Sequence, residues 1–472
     1  MANSDNSDTE ALVPSELSLP PGPPRNWPGG DFKAMRSNGA GHLLSLVKKY
    51  GDVCRFHLGP QPVVVVRRPE HVRQVLVEKA RQYSKETRGF QKLAMILGQG
   101  LVTSSGELWR KQRRIMQPAF HRKQIADFAE IMGRISREAV EKLRPYSISG
   151  EVIDIDQAMM GLTLEVVSEA LLGEHLENEA DLVADAVEVV QQEVNRRIMS
   201  VVDLPMSVPT RSNLRLKNAF QDLDKVVHGL IAKRREAGVN TKDLLSMLLQ
   251  VKDADTGEGM NDQQLRDEVM TMFLAGHETS SNALVWTWHL LSRNPAVARK
   301  LKAELDEVLG GRAPTLDDLP KLVYTEKVLH ESMRLFPPVW GFSRMAEEDD
   351  VIGGYRIPKG TWVFVSQYLT HRIPEYFENP EGFDPDRFHD GFMESLPKCA
   401  YFPFGAGARQ CIGNNFALME IKIILATLAQ QFQFFLEEGH SVVAKPLITL
   451  RPLNGLRMRV VGYPDAESPA KA

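Results

Sequence analysis

One unbroken helical pattern restricts the possible folds of this chain more than any other feature. It runs from about Asp262 to Arg293, begins at a capping pair of Asn261 and Gln264, and stops at Asn294-Pro295. With a rise of about 1.5 Å per residue, this helix is roughly 45 Å long, enough to cross a whole domain. The sequence therefore predicts a large domain built around one central helix.

The rest of the chain predicts a mainly α-helical body with small β-sheets, an α+β fold. Strand patterns at residues 52–58 and 62–66 predict a hairpin, residues 69–336 are almost wholly helical, and strand patterns return at 351–365 and 446–461. No repeat or linker divides the chain. We expect a disordered, proline-rich head at residues 1–30, a single domain at 31–464 and a flexible tail at 465–472.

Composition and charge exclude several classes of function. The chain has 472 residues, a formal net charge of -4 and three cysteines. Balanced charge gives no nucleic-acid footprint, no apolar run approaches the roughly 18 residues of a membrane span, and scattered cysteines give no disulfide framework. We expect a cytoplasmic monomer without a transmembrane anchor.

The segment PFGAGARQC at residues 403–411 places a lone cysteine before another apolar helical pattern. It is not a phosphate loop, because the lysine and hydroxyl of G-x-x-x-x-G-K-[ST] are missing. A catalytic nucleophile would need a base that no local motif supplies, and a buried structural cysteine is the simplest alternative. Together with Gly413, however, the segment reads F-x-x-G-x-R-x-C-x-G. This pattern resembles the haem-binding loop of the cytochrome P450 family of haem-thiolate monooxygenases.

Chemistry supports such a loop as a ligand for iron. A thiolate is stabilised by backbone N–H donors and by a helix N-terminus, and glycines let the backbone approach closely. The resemblance implies that Cys411 is the axial ligand of a haem b iron and that Arg409 binds a haem propionate. It also assigns Phe404, Gly405 and Gly413 to the haem-binding loop.

The central helix carries Ala275-Gly276-His277-Glu278-Thr279. A zinc site of the H-E-x-x-H type is excluded because residue 281 is Ser281. Gly276 costs about 1 kcal/mol relative to alanine inside a helix, so either helix packing or function must favour it. The segment resembles the family's oxygen-activation motif, [AG]-G-x-[DE]-[ST]. By this resemblance Ala275 adjoins the haem, Gly276 leaves room for dioxygen, Thr279 bonds the oxygen and Glu278 helps to deliver protons.

An acid and a base share one helix face at Glu331 and Arg334. Most such pairs are surface ion pairs worth less than about 1 kcal/mol. Here the pair, together with Asp384-Pro385-Asp386-Arg387-Phe388, resembles the family's E-x-x-R helix and P-x-R-F segment. The resemblance implies a buried network of Glu331, Arg334 and Arg387 that serves folding and haem retention.

A basic segment contains Trp109 and Arg113 one helical turn apart, and it resembles the W-x-x-x-R helix that contacts a haem propionate. Arg344 corresponds to a further propionate partner. Residues 109–123 hold six basic residues and no acidic one: Arg110, Lys111, Arg113, Arg114, Arg122 and Lys123. A solvated face is one interpretation. The other is a docking site for an acidic ferredoxin or flavodoxin, with Arg110, Lys111 and Arg114 at its surface.

The resemblance implies a monooxygenase that inserts one atom of O2 into a C–H or C=C bond of a hydrophobic molecule, such as a fatty acid, terpenoid or steroid. Electrons would come ultimately from NAD(P)H through a separate protein. The alternatives are a peroxide-driven enzyme and a non-catalytic haem sensor, and the pair Glu278-Thr279 argues against both. Arg88, Arg196 or Arg197 could hold a carboxylate. By family analogy the pocket is lined by Phe90, Leu97, Met199, Phe273, Val339, Trp340 and Leu450.

Overall fold

The computed structural model describes residues 17–25, 29–121, 126–173, 180–201, 203–238, 243–251, 257 and 259–463. The predicted tail and most of the predicted head lie outside these residues, as do Arg122 and Lys123 of the basic segment. Within the described ranges, no helix is both long and apolar enough to cross a membrane.

Helices form most of the described chain. They are α1 Phe32–Tyr50, α2 Pro69–Arg73, α3 Arg88–Leu97, α4 Gly106–Met116, α5 Phe128–Ser149, α6 Ile155–Leu172, α7 Ala180–Ile198, α8 Arg211–Ala237, α9 Leu244–Gln250, α10 Asp262–Arg293, α11 Pro295–Leu309, α12 Val323–Leu335, α13 Gln367–Thr370, α14 Phe392–Ser395 and α15 Asn414–Gln431. A π-helical turn, Gln74–Glu78, follows α2.

The strands form small sheets. They are β1 Val53–Leu58, β2 Gln61–Val66, β3 Tyr83–Ser84, β4 Val152–Asp154, β5 Phe342–Ala346, β6 Asp350–Ile352, β7 Tyr355–Ile357, β8 Trp362–Val365, β9 Phe432–Leu436, β10 Ala444–Pro446, β11 Leu450–Pro452 and β12 Arg457–Gly462. The largest sheet has the order β1-β2-β8-β5-β3, and a second has the order β4-β12-β9. The hairpins β6-β7 and β10-β11 complete the set. The α+β architecture predicted from the sequence is confirmed.

Helix α10 spans Asp262–Arg293, as the sequence predicted, and the side chain of Asn261 accepts a hydrogen bond from the backbone N–H of Gln264 at 2.8 Å. Most side chains of its second half are buried, and Trp286 stacks on Phe336 with ring centroids 4.1 Å apart. The buried residues of this helix include polar ones, so its interior position is shown by burial along most of its length rather than by a uniformly apolar surface. The domain is therefore assembled around α10.

Several elements were missing from the sequence prediction, among them the short strands β3, β4 and β5, helix α1 and strand β9. Helix α1 was not predicted because its sequence contains Gly39 and Gly41, both poor helix formers. Its helical geometry is also broken at Asn38. Strand β9 follows α15 directly and is as apolar as the helix, so periodicity does not mark the boundary. Its conformation is set by pairing with the distant strand β12.

Candidate active site

A cavity of about 530 Å³ lies against the middle of α10 and the loop at residues 403–413. Ala275 lies in the middle of this largely buried helix, yet its side chain is exposed. Cys411 is exposed too, and both residues line the cavity. The exposure of both is thus explained by the cavity that they share.

The loop before Cys411 has a shape that depends on glycine. Gly405 and Gly407 have φ values of 74° and 72°, in the left-handed region. A Cβ atom on Gly407 would lie 2.2 Å from the backbone oxygen of Leu76, in the π-helical turn. The backbone N–H of Cys411 donates to the oxygen of Phe404 at 2.9 Å, which closes the loop. The loop is held between the turn on one side and the start of α15 on the other.

The Cys411 thiol lies at the N-terminal end of α15, whose N-cap is Gly413. The thiol faces a cavity inside the protein rather than bulk water, and this enclosure raises its pKa, whereas the backbone N–H of Gly413 and the charge of Arg113 act to lower it. A bound metal cation would overcome the effect of burial, because thiols deprotonate when they coordinate a metal. The surroundings suit a sulfur that acts as a metal ligand better than a free thiolate.

Besides Arg88, four cationic side chains line the same cavity, and three of them, Arg113, Arg344 and Arg409, were predicted from the sequence. The fourth, Lys85, was missed. In the described part of the chain none has a carboxylate within ion-pair distance, and each donates to a backbone carbonyl instead. The bonds run from Lys85 to Val102 (2.6 Å), Arg113 to Gln410 (2.9 Å), Arg344 to Ser343 (3.0 Å) and Arg409 to Ser104 (2.8 Å).

Burial makes this cationic cluster costly without an anion. It lowers the pKa of Arg344 to about 9, with a further contribution from Arg409, and lowers the pKa of Arg409 to about 10. The pKa of Lys85 falls well below its usual range for the same reason. The guanidinium of Arg409 also lies over the ring of Trp109, 4.0 Å from its centroid. Charged groups so arranged favour an anionic ligand between them.

The motif on α10 has two polar side chains in different surroundings. Thr279 donates its hydroxyl to the backbone oxygen of Ala275 at 2.7 Å and lines the cavity. Glu278 is buried, accepts a hydrogen bond from Thr449 at 2.5 Å, and has a raised pKa because of its burial. A Cβ atom on Gly276 would lie 3.0 Å from Cγ2 of Val167 on α6. Gly276 also lines the cavity, so close packing on α6 and space in the cavity both favour glycine at this position.

The structure brings Glu331, Arg334 and Arg387 together in the interior. Arg334 binds both carboxylate oxygens of Glu331, at 2.7 and 2.9 Å, and Arg387 approaches Glu331 to 3.5 Å. The side chains of Glu331 and Arg334 are fully buried, and Arg387 is 8% exposed. Arg334 also donates to the backbone oxygens of His371, Pro380 and Gly382. Helix α12 is thereby joined to the segment that precedes the cysteine loop.

The predicted pocket residues fall into two groups. Those that line the cavity are Phe90, Leu97, Met199, Val339 and Trp340. Phe273 and Leu450 do not line it, so these two assignments are corrected. Phe273 is buried with its ring packed near His277, and Leu450 turns into a core cluster while its neighbour Thr449 faces the cavity. For Leu450 the reason is that successive residues of an extended chain point to opposite sides, so an assignment one residue out of phase selects the wrong side chain.

Comparison with known proteins identifies the family. The family model "Cytochrome P450" matches residues 20–455. The chain belongs to the cytochrome P450 family. It is accordingly an oxidoreductase of the monooxygenase type, as the sequence predicted.

Several relatives of this cytochrome P450 come from Streptomyces. It is 36% identical over 423 residues to cyclooctatin synthase of Streptomyces melanosporofaciens. This match covers 87% of this chain and 91% of the relative. It is 34% identical to cyclooctat-9-en-7-ol 5-monooxygenase of the same organism, over 89% of this chain and 92% of the relative. It is also 34% identical to pentalenene oxygenase of Streptomyces avermitilis, with the same coverage, 89% and 92%.

Haem is the cofactor of cytochromes P450, and the residues around this cavity fit it in two ways. The exposed thiol of Cys411 offers a soft ligand for iron beside an apolar space. The cationic cluster supplies charge for a group that carries carboxylates, and such a group would relieve the cost of burying Lys85 and Arg344 beside Arg409.

The basic segment of this cytochrome P450 forms a depression at the protein surface. Its lining includes Arg110, Arg113 and Arg114, together with Trp109, Gln117, Pro118 and His121. Lys111 lies on the same helix but does not line the depression. Arg110 also pairs with the exposed Glu107. Among the described residues, Trp109 and Arg113 alone line both this depression and the inner cavity.

Proposed function

We propose that this cytochrome P450 hydroxylates an oxygenated terpenoid, with Cys411 as the haem-iron ligand. One observation carries the proposal: the thiol of Cys411 and the oxygen-motif residues Ala275 and Thr279 line a single cavity with mostly apolar walls. When bound, a thiolate-ligated haem supplies the activation of dioxygen. The protein supplies the ligand, the protons and a shaped apolar site.

The haem would be held by groups from several distant parts of the chain. Arg113, Arg344 and Arg409, with Lys85 added by the structure, would bind its propionates. Trp109 would support Arg409 through the contact of its ring with the guanidinium. Phe404, Gly405 and Gly413 would shape the loop around the sulfur, and Ala275 would leave space on the opposite wall. These are the assignments that the family resemblance implied.

Protons would reach the site through Glu278 and Thr279. Thr279 lies at the cavity wall and its hydroxyl can both donate and accept. Glu278 adjoins it in sequence and is a buried acid whose pKa lies above its ordinary value. An acid whose pKa is raised by burial keeps its proton to a higher pH than an exposed glutamic acid does, and it can pass that proton to a neighbouring hydroxyl. Gly276 would contribute by letting α10 pack closely on α6.

The substrate class is supported by both the relatives and the cavity. The names of three relatives refer to cyclooctatin, cyclooctat-9-en-7-ol and pentalenene. The apolar wall of this chain, which includes Leu97, Val339 and Trp340, suits a hydrocarbon skeleton of that kind. Of the substrate alternatives, we therefore favour a terpenoid over a fatty acid or a steroid.

An arginine on the cavity wall indicates that the terpenoid carries an oxygen. Arg196 pairs with Glu193 and Arg197 with Asp203, so both of these arginines have acidic partners. Arg88 lines the cavity, donates to the backbone oxygen of Arg197 at 2.7 Å, and has a buried Nε atom without a partner among the described residues. A hydroxyl or carboxylate of the substrate would pair with the guanidinium of Arg88 where this residue lines the cavity.

This arrangement predicts selectivity. In Arg88→Leu, we expect the Kd of dehydroabietic acid to rise about tenfold and that of its parent hydrocarbon to change little, because a hydrogen bond to a charged group is worth about 1.5–3 kcal/mol. Substrate-induced changes in the haem spectrum measure both affinities. Arg196→Leu is the matched control and should bind both compounds as the parent protein does. Equal weakening for acid and hydrocarbon would show that Arg88 only shapes the cavity.

Electrons would come from NAD(P)H through a separate ferredoxin or flavodoxin that docks at the basic depression. The arginines there are complementary to an acidic carrier, and complementary charge chiefly raises the rate of association. Lys111 would add to the same positive field from the adjoining turn of α4.

Charge reversal tests this surface. In the double variant Arg110→Glu and Arg114→Glu, we expect the bimolecular rate of reduction by an acidic ferredoxin to fall at least about tenfold at low salt, and the difference to shrink as salt rises. Stopped-flow spectroscopy follows the reduction. Reduction by dithionite should be unaffected, and Lys233→Glu, an exposed site on α8, serves as the control. If the reduction rate is the same in the parent and the double variant at every salt concentration, the docking site lies elsewhere.

Turnover decides the reaction class. With a ferredoxin, its reductase, NADPH and isotopically labelled dioxygen, we expect a terpenoid product that carries one labelled oxygen atom. Product formed only when peroxide replaces this system would favour the peroxide-driven alternative. Haem binding without any oxidised product from a broad terpenoid set would favour the sensor.

A further inference from the structure

A threonine outside the oxygen motif holds the acid of that motif. The hydroxyl of Thr449 donates to Oε1 of Glu278 at 2.5 Å and accepts from Nδ2 of Asn282 at 3.2 Å. Asn282 lies one turn beyond Glu278 on α10, so the hydroxyl bridges two residues of that helix. All three side chains are buried, and Glu278 and Thr449 line the cavity.

The position of Thr449 is fixed by the hairpin that carries it. Thr449 lies in the turn between β10 and β11, next to Leu450, whose backbone N–H donates to Pro338 and whose backbone oxygen accepts from Trp286, both at 2.8 Å. The backbone N–H of Leu447 closes the turn by donating to the backbone oxygen of Thr449 at 2.9 Å. The hydroxyl therefore has little freedom to leave Glu278.

The same hairpin places a cation near the acid. Arg451 donates to Oε1 of Gln191 on α7 at 2.7 Å and to Oδ2 of Asp156 on α6 at 3.1 Å. Its charge favours the ionised form of Glu278, and the nearby carboxylate of Asp156 opposes it. Glu188 is a further acidic group close to Asp156 and Arg451. Arg451 thus sits among three carboxyl groups, only one of which belongs to the oxygen motif.

We propose that Thr449 and Arg451 are positioning residues for proton delivery: Thr449 holds the Glu278 carboxyl at the cavity wall, and Arg451, two residues further along the same hairpin, is anchored to α6 and α7 and supplies positive charge on that side. This inference rests on the role of Glu278 in the proposed function. It adds that the β10-β11 hairpin, which is 171 positions away in sequence at Thr449, determines the position and the ionisation of the Glu278 carboxyl. Both the hydroxyl and the cation stabilise a carboxylate, so removing either favours the protonated acid.

The test begins with a signal that does not depend on turnover. The infrared C=O band of the protonated Glu278 carboxyl, assigned by its loss in Glu278→Gln, is followed against pH in the purified haem protein. In Thr449→Val and in Arg451→Met we expect the midpoint at which the band disappears to rise by about one to two pH units. Thr449→Ser keeps the hydroxyl and should restore the parent midpoint. Thr427→Val removes a buried hydroxyl elsewhere, on α15, and is the folding control.

The fraction of NADPH electrons recovered in product gives the second readout. We expect Thr449→Val to lower it several-fold, to shift its pH optimum upward, and to be rescued by Thr449→Ser. If Thr449→Val does not fold, Arg451→Met carries the same prediction. If the pH midpoint of the band and the electron recovery are unchanged in Thr449→Val and Arg451→Met, while Glu278→Gln lowers the recovery, this inference alone is overturned. Full recovery in Glu278→Gln would overturn the proton role of Glu278 and the inference with it.

Discussion

Cys411→Ser is expected to abolish monooxygenase turnover and to remove the thiolate position of the Soret band from the reduced, CO-bound protein. The reason is that a serine hydroxyl is a far weaker donor to iron than a thiolate, and electron donation from sulfur is what favours O–O cleavage in haem-thiolate enzymes. Difference spectra of the reduced protein with and without CO measure the ligand directly, and product analysis measures the activity.

Cys399→Ser is the matched control for this substitution. Cys399 is half-buried, lies twelve positions before Cys411 in the segment leading to the same loop, and does not line the cavity. The control should keep both the thiolate spectrum and turnover. A thiolate spectrum that survives in Cys411→Ser but is lost in Cys399→Ser would reassign the ligand.

Glu331→Gln is expected to lower the free energy of unfolding by about 3–5 kcal/mol and to weaken haem retention. The substitution leaves the fully buried guanidinium of Arg334 without its carboxylate, and Arg387 loses its partner as well. Denaturant unfolding measures the stability, and the rate of haem transfer to an acceptor protein measures retention.

A control for Glu331 lies on the neighbouring segment. Asp386 pairs with Lys300 at 2.5 Å, but both side chains are more than half exposed, so Asp386→Asn should cost less than about 1 kcal/mol. Similar small losses in Glu331→Gln and Asp386→Asn would mean that the buried network does not hold this region together.

The sequence was most informative where a pattern is long or local. Helix α10 has the predicted ends because its periodic run is bounded by a capping asparagine and by Asn294-Pro295. The cysteine loop could be read in the same way, since its glycines, arginine and cysteine lie within a few positions of one another. Both are short-range features of the chain, and the structure gives them their predicted local form.

Features that depend on distant contacts could not be predicted. Lys85 joins the cationic cluster only because the fold brings α3 and the segment before it beside Arg344 and Arg409. Thr449 meets Glu278 across 171 positions of sequence. Phe273 and Leu450 lie in the predicted regions, but whether they line the cavity depends on the rotation of a helix and the phase of a strand. Sequence patterns fix these only loosely when all faces are apolar.

The side chain of Arg113 reaches both the surface depression and the inner cavity, and its guanidinium binds the backbone oxygen of Gln410, the residue before Cys411. Trp109 lines both spaces as well, so at this point two side chains lie between the outside of the protein and the cavity that contains the sulfur. For a carrier seated in the depression, the speed of electron entry would depend on encounter with these side chains and on orientation against them. A docked partner would also contact Arg113, which binds the cysteine loop through Gln410. Docking alone would therefore change the surroundings of the sulfur, and with them the haem spectrum, before any electron is transferred.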